Sequence, residues 1–417
     1  MAVDFYAVPR PDAQLEALKA YFPKFPPVDR RFKYVDFLGS GAYGACVRLR
    51  ELSMNEKTSR DIVIKQAGTE EHRRELRWEI DRLKRIAGSL HIVQLLDIQS
   101  SPFFDFDVEK AALIQENPDV ARDLKADYEK AGYLLGPMLV IELLENGSVK
   151  DFINKAQAHK VTRLPNRLIW RFFLCLVRAC IALAYPRRAG NGQFFEVIPP
   201  GDQAPSDFTQ TDWQTGNVMM GGIYTDQFEH QISPILKLIN FGVWEDAVKF
   251  DLLYNDPNEK GVAHNIFGAA SVIFNTIALD PFLFSPWDTP GQYQIQRSGQ
   301  TREIATLAVG ITRNLDNAKY AHLDRELVSL LAQCLASGPA DRPPLRDLFD
   351  RLMKGVERPP EEYGVGVSGG NRPETGPGVS GGNPQETDLG VSGGNPLETG
   401  LGVLELLQKI LYEAPPP

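Results

Sequence analysis

A glycine-rich run near the start of the chain, Gly39-Ser40-Gly41-Ala42-Tyr43-Gly44, does most to limit what the chain can fold into. Within Phe32 to Leu49, and again from Asp61 to Gln66, short β-branched and aromatic runs flank it, so the glycines join strand to strand. That placement excludes the dinucleotide fingerprint, whose glycines open a helix, and fits a hairpin whose backbone lies over phosphates. Glu70 to Arg85 then reads as a charged helix with Leu76, Ile80 and Leu83 at helical spacing. Two more strands are expected, at Ile92 to Ile98 and Met138 to Leu143, separated by an acidic insertion, 105–132, that reads as a helix.

After Gly147 the pattern turns mostly helical, with strands expected only near Val218 and Leu236. The fold class is therefore α+β, a small β-rich lobe followed by a large helical one. An N-terminal extension covers 1–30, the β-rich lobe 31–144 and the helical lobe 145–355. From 356 to 402 the composition shifts, and Val-Ser-Gly-Gly-Asn recurs at Val367, Val379 and Val391 with a 12-residue period. So much Gly and Pro suggests a disordered linker. Each copy also spells Gly-x-Ser-x-Gly, but a nucleophile elbow needs a strand before it and a helix after it. A short C-terminal helix over 403–414 follows, with Leu404, Leu407, Ile410 and Leu411 available for one apolar face.

Composition narrows the partners. Of 417 residues 43% are hydrophobic, enough for a large core, and the net charge of -9 supplies no basic field for nucleic acid. The longest apolar stretch, Leu168 to Tyr185, contains Arg171 and Arg178 and reads as a core helix, so no membrane partner is expected. Met1 to Arg30 carries acidic residues and prolines where a leader would be basic and then apolar. Cys46, Cys175, Cys180 and Cys334 show no metal spacing, which suits reduced thiols in a cytoplasmic or nuclear protein.

One strand after the glycines, Ile62-Val63-Ile64 ends in Lys65, and Glu79 lies on the following helix on the same face as Leu83. A lysine oriented by such a glutamate can hold the α- and β-phosphates of a nucleotide. These residues resemble the protein kinase family, and the resemblance runs from about Phe32 to Leu352. It implies a two-lobed fold with ATP in the cleft between the lobes, under the hairpin of Gly39, Gly41 and Gly44. Leu139 to Ser148 is similar to the strand and hinge that receive adenine, with Ile141 as gatekeeper and the backbone of Glu142 and Leu144 as hydrogen-bonding groups. Val63 would lie above the adenine and Met219 beneath it. Pro339-Ala340-Asp341-Arg342-Pro343 is similar to the start of the late helices.

By the same resemblance, Asp212-Trp213-Gln214-Thr215-Gly216-Asn217 keeps the catalytic-loop spacing, with Asp212 as the base and Asn217 as a Mg²⁺ ligand. Lys65 and Glu79 complete the catalytic set. Gln210 stands in a histidine place and Gln214 in that of a lysine that neutralises the transferred phosphoryl group. Asn240-Phe241-Gly242 replaces Asp-Phe-Gly, so the second metal position, Asn240, keeps an oxygen but loses a charge. Glu245 and Asp246 are neighbouring acids that could supply one. Asn265 matches an aspartate that bonds the catalytic-loop backbone, Phe241 and Leu83 match an internal apolar stack, and Glu259 is a candidate partner for Arg342.

The expectation is ATP binding, weakened Mg²⁺ binding and reduced Ser/Thr phosphotransfer to a protein substrate. A pseudokinase scaffold that binds a protein partner is the alternative, and a small-molecule phosphotransferase is a third class.

Overall fold

Strands β1 (Phe32–Gly41), β2 (Gly44–Leu52), β3 (Ser59–Ala67) and β4 (Met138–Glu142) form an antiparallel sheet in that order. The computed structural model describes residues 31–41, 44–52, 59–67, 70–97, 110–111, 114–115, 117–130, 136–187, 192–242, 261–297, 299–363 and 395–415. Alternation sets the sheet's two faces. Val47 and Leu49 of β2, Ile62 and Ile64 of β3 and Val140 of β4 share one buried cluster with Phe32. Val63 and Lys65 therefore project from the opposite face, where Val63 pairs with Ile141 and Lys65 with Leu139. Gly44 is required by packing, since a Cβ there would meet the Gln66 carbonyl oxygen at 2.3 Å.

Helix α1 (Glu70–Arg85) buries Leu76, Glu79 and Leu83, a one-sided set at helical spacing. Part of the insertion is helical as expected, as α2 (Pro118–Lys130). The helical body comprises α3 (Val149–Ala158), α4 (Asn166–Ala184), α5 (Val262–Ala278), α6 (Val309–Thr312), α7 (Arg325–Cys334) and α8 (Leu345–Glu357). Every residue of α4 is buried, arginines included. Arg178 is matched by Glu229, and Arg171 donates to the carbonyl oxygens of Phe228 and Glu229 at 2.7 and 3.1 Å. No helix among the described residues is long and apolar enough to cross a membrane.

Three elements differ from expectation. Ile92 to Asp97 makes isolated bridges rather than a strand, because it passes from β4, through Leu95 and Ile141, to β6 (Leu236–Leu238), through Ile92 and Leu238. Ile98 lies outside the described residues. Beyond the short pair β5 (Val218–Met220) and β6, the body carries a second ribbon, β7 (Gly291–Arg297) with β8 (Gln300–Thr306). Ile295 and Ile304 are its buried apolar residues, and the one alternation in it, Gln292-Tyr293-Gln294-Ile295-Gln296, is short and set in polar surroundings. The last helix, α9 (Gly400–Tyr412), begins before Val403, and the chain is already ordered against the body at Asn395, inside the segment read as linker. The rest of that repeat, 364–394, and the 1–30 extension lie outside the described residues.

Candidate functional site

Lys65 is carried to the sheet's inner face by the β3 alternation, and Glu79 points at it from the buried stripe of α1. Their Nζ and Oε2 atoms are 2.7 Å apart, and the same Nζ donates to Asn240 Oδ1 at 3.1 Å. Glu79 also accepts the Phe241 N–H through Oε1 at 3.2 Å, so one carboxylate ties α1, β3 and the Asn240-Phe241-Gly242 turn together. Burial works to lower the Lys65 ammonium, but the Glu79 carboxylate outweighs it and holds the group above its ordinary value. Asn240 has φ of 64°, a left-handed conformation that asparagine tolerates better than most residues. Behind this turn Arg82 donates to the Phe241 carbonyl at 3.1 Å, and Phe208 packs edge-on to Phe241 at 6.3 Å.

The loop from Gln210 to Asn217 converges on the same point. Asp212 receives Gln214 Nε2 at 2.9 and 3.0 Å on its two oxygens, and Asn217 Nδ2 at 2.6 Å on Oδ2. Asn240 Nδ2 approaches Asp212 Oδ2 at 3.4 Å and Asn217 Oδ1 at 3.3 Å. Burial pushes the Asp212 carboxyl up against the opposing pull of these amides and of Lys65. A carboxyl raised in this way accepts a proton more readily than an ordinary one, yet both its oxygens already hold amide donors.

Asn265, on α5, accepts the Gln210 N–H at 3.0 Å and Trp213 Nε1 at 3.3 Å, and donates to the Phe208 carbonyl at 2.8 Å. An amide therefore braces the loop with both ends, where a carboxylate could only accept. Gln210 donates to the carbonyls of Ile239 and Asn240 at 3.0 Å each, binding the loop to the turn. Gly268 of α5 leaves room for the Trp213 ring, which a Cβ would meet at 2.2 Å.

The residues expected around adenine are apolar and shielded to different degrees. Val63 and Leu144 are buried, Ile141 and Met219 half-buried, and Met219 bridges to Ser148 beside the hinge. Glu142 does more than expected: its N–H donates to Gln94 O at 3.1 Å, and its Oε1 accepts Gln94 N at 2.8 Å and the buried Lys237 ammonium at 2.7 Å. Its amide is thus part of the scaffold. A cavity of about 180 Å³, lined by Trp78, Arg82, Phe241 and Gly242, lies at the α1 end of the turn and includes none of the residues expected around adenine. Arg342 donates to the carbonyls of Ala336 and Ala263, each at 3.0 Å. Glu245, Asp246 and Glu259 lie outside the described residues.

The donor set suits nucleotide phosphates, because Lys65 offers an ammonium fixed by Glu79 on the same sheet face as Val63. It suits Mg²⁺ poorly. That ion is ordinarily held through one or two carboxylates plus phosphate oxygens, whereas Asn217 and Asn240 offer neutral oxygens and Asp212 is already bonded. Comparison with protein-family models gives no match, and comparison with curated proteins gives none either.

A second polar constellation, unseen in the sequence, lies behind the site. Glu196 accepts from the His91 N–H at 2.8 Å and pairs with His91 Nδ1 at 2.7 Å; His91 Nε2 is 3.2 Å from His230 Nε2, and His230 Nδ1 is 3.9 Å from Cys175 Sγ. Burial opposes charge on His91, but Glu196 prevails and raises it to about 9, while burial and the charge of His91 lower His230 to about 2. These directions assign His91 both ring protons and His230 only its Nδ1 proton. Every ring nitrogen is then matched within the group. These residues are too far apart in sequence for any spacing signal to have joined them.

Proposed function

We propose that this chain is a protein-kinase-like protein that binds ATP between its sheet and its helical body, with phosphotransfer to protein hydroxyls slowed by its neutral metal positions. The Lys65–Glu79 pair at 2.7 Å, with Lys65 also 3.1 Å from Asn240, carries this reading. It is the arrangement that a phosphate-holding lysine needs, and its order with Gly44, Ile141, Asp212 and Asn217 supports the two-lobed kinase architecture. Asp212 is the base of the proposed reaction, and a hydroxyl substrate has to displace the Gln214 amide from one of its oxygens. An arrangement that keeps the phosphate grip while occupying the base favours nucleotide binding over turnover.

A thermal-shift titration with ATP, with and without Mg²⁺, tests the proposal, because a ligand stabilises by RT ln(1 + [L]/Kd). Glu79 is buried, so Lys65→Ala alone strands a carboxylate, a change that typically costs about 3–5 kcal/mol. The double variant Lys65→Met, Glu79→Gln removes both charges and is the cleaner control. A saturable ATP shift in the natural chain, lost in the double variant, is expected; an equal shift in both overturns the proposed phosphate grip. A pseudokinase scaffold is the second reading, favoured by the amides on Asp212, and absence of any nucleotide shift would select it.

A further inference from the structure

The third copy of the 12-residue repeat is seated in the fold. Glu398 is 1% exposed and lies at the N-terminus of α4, where Oε1 accepts the Asn166 N–H at 2.9 Å and Oε2 the Arg167 N–H at 2.9 Å. Asn166 Nδ2 adds a third bond to Oε1 at 3.0 Å, and Arg167 Nη1 reaches the Glu398 carbonyl at 3.5 Å. Helix α4 starts after Pro165, which gives it no side-chain cap, so a residue more than two hundred positions away satisfies its first amides and meets the positive end of its dipole. The neighbours of Glu398 hold it there. Asn395 caps the turn by accepting Leu397 N–H at 3.2 Å, and Thr399 caps α9 by accepting Gly402 N–H at 3.0 Å. A Cβ on Gly402 would meet the Pro396 carbonyl oxygen at 1.9 Å, and Val403 is fully buried.

Within the nine residues from Asn to Val, these five are the ones at which all three copies agree, and the Ser-Gly-Gly before each Asn is also common to the three. Asn395, Glu398, Thr399, Gly402 and Val403 recur as Asn383, Glu386, Thr387, Gly390 and Val391, and as Asn371, Glu374, Thr375, Gly378 and Val379. Of the positions that differ, Leu401 faces solvent and Leu397 is half-buried, while Gly400, an aspartate in the second copy, is buried. A spacer would have no reason to keep a carboxylate, a capping threonine and a close-approach glycine in register. We infer that the notch at the start of α4 is a peptide-recognition site for Asn-x-x-Glu-Thr-x-x-Gly-Val, and that the two upstream copies are further ligands for it, carried on the same chain. The seated copy holds the notch through its tether, which raises its effective concentration above that of any free segment.

A synthetic peptide spanning 383–391 tests this by thermal shift and fluorescence anisotropy on the full chain carrying Glu374→Ala, Glu386→Ala and Glu398→Ala, which empties the carboxylate position and leaves no tethered copy to refill it. Saturable binding is expected, at least tenfold weaker when the peptide carries Glu386→Gln, and at least tenfold weaker again for the natural chain, whose notch is filled. Should that chain not fold, Glu374→Gln, Glu386→Gln and Glu398→Gln keep the shape, lose the charge and carry the same comparison. No saturable binding to the folded variant, or equal binding of the two peptides, or equal binding to the natural chain, overturns the assignment.

Discussion

Restoring a carboxylate at residue 240 should create a metal site without costing the fold. In Asn240→Asp the new charge replaces an amide that lies 3.1 Å from Lys65 Nζ and 3.4 Å from Asp212 Oδ2. At an effective dielectric constant near 20, attraction to Lys65 and repulsion from Asp212 are each about 5 kcal/mol, with the attraction slightly larger. The two nearly cancel. The bonds lost from the Asn240 amide are long, and each is worth about 1 kcal/mol or less. Without metal, therefore, the variant should unfold within about 1–2 kcal/mol of the natural chain. Adding Mg²⁺ changes the balance, because two carboxylates now face one another and Asn217 Oδ1 is freed. Urea melts without metal, then ATP titrations with and without Mg²⁺, measure both parts. Mg²⁺ should strengthen ATP binding to the variant at least about tenfold, or roughly 1.4 kcal/mol, beyond its effect on the natural chain. A metal-free loss above about 3 kcal/mol, or an equal Mg²⁺ effect in both proteins, refutes the reasoning.

Gln214→Lys added to Asn240→Asp should raise phosphotransfer to a basic protein by at least about tenfold, since a lysine next to Asp212 pairs with it rather than capping both oxygens and can neutralise a phosphoryl group; a radiolabel assay reads it, and no gain counts against Gln214 as a brake. Stability should peak near pH 6.5 through the buried histidine pair. His91, raised to about 9, gives stability that is full below 6.5 and is lost as pH climbs through 9, at about 1.4 kcal/mol per unit; His230, lowered to about 2, gives stability present above 6.5 and lost on acidification. Urea melts across pH 5 to 9 check this, and His91→Asn should flatten the alkaline limb. Gly268→Ala should cost about 1–3 kcal/mol by driving a methyl into Trp213; an unchanged urea midpoint and tryptophan emission would show that the loop yields freely.

Lys65 and Glu79 were legible because each obeys a local period, two along β3 and 3.6 along α1, and those periods fix which way a side chain faces. The order of Asp212, Asn217 and Asn240 was legible by spacing, and Asn265 braces the loop as its position implied. What no spacing carries is who bonds to whom across the cleft. The closure of Gln214, Asn217 and Asn240 on Asp212 needs backbone placed by three separate segments, and so does the chain from Glu196 through His91 to His230. The β7 and β8 ribbon escaped because Tyr293 and Ile295 are the only large apolar residues alternating in β7 and β8 adds only Ile304, too little to mark a strand among Gln and Arg. Glu398 escaped for a different reason. Gly and Pro dominate the repeat's composition, and composition is blind to a carboxylate whose partners are helix amides.

The departures at Gln210, Gln214, Asn240 and Asn265 have a common physical sense. Each puts an amide where the resembled family has an ionisable group, and an amide both donates and accepts, so the four can bond to the loop, to Asp212 and to the turn without outside help. A site built on several carboxylates repels itself until a cation arrives; one built on amides is satisfied as it stands. Among the described residues the converging ionic side chains are Lys65, Glu79 and Asp212, and each is hydrogen-bonded within the protein. On the proposed reading, the geometry for a nucleotide is held by neutral bonds, and the charge that would draw a metal is absent from residue 240. That coupling explains why single reversions should act unequally. Asn240→Asp has a ready cation in Lys65 and is tolerated, whereas Asn265→Asp would lose the donor to Phe208 O and place a fully buried charge with the Gln210 N–H and the Trp213 indole as its remaining donors.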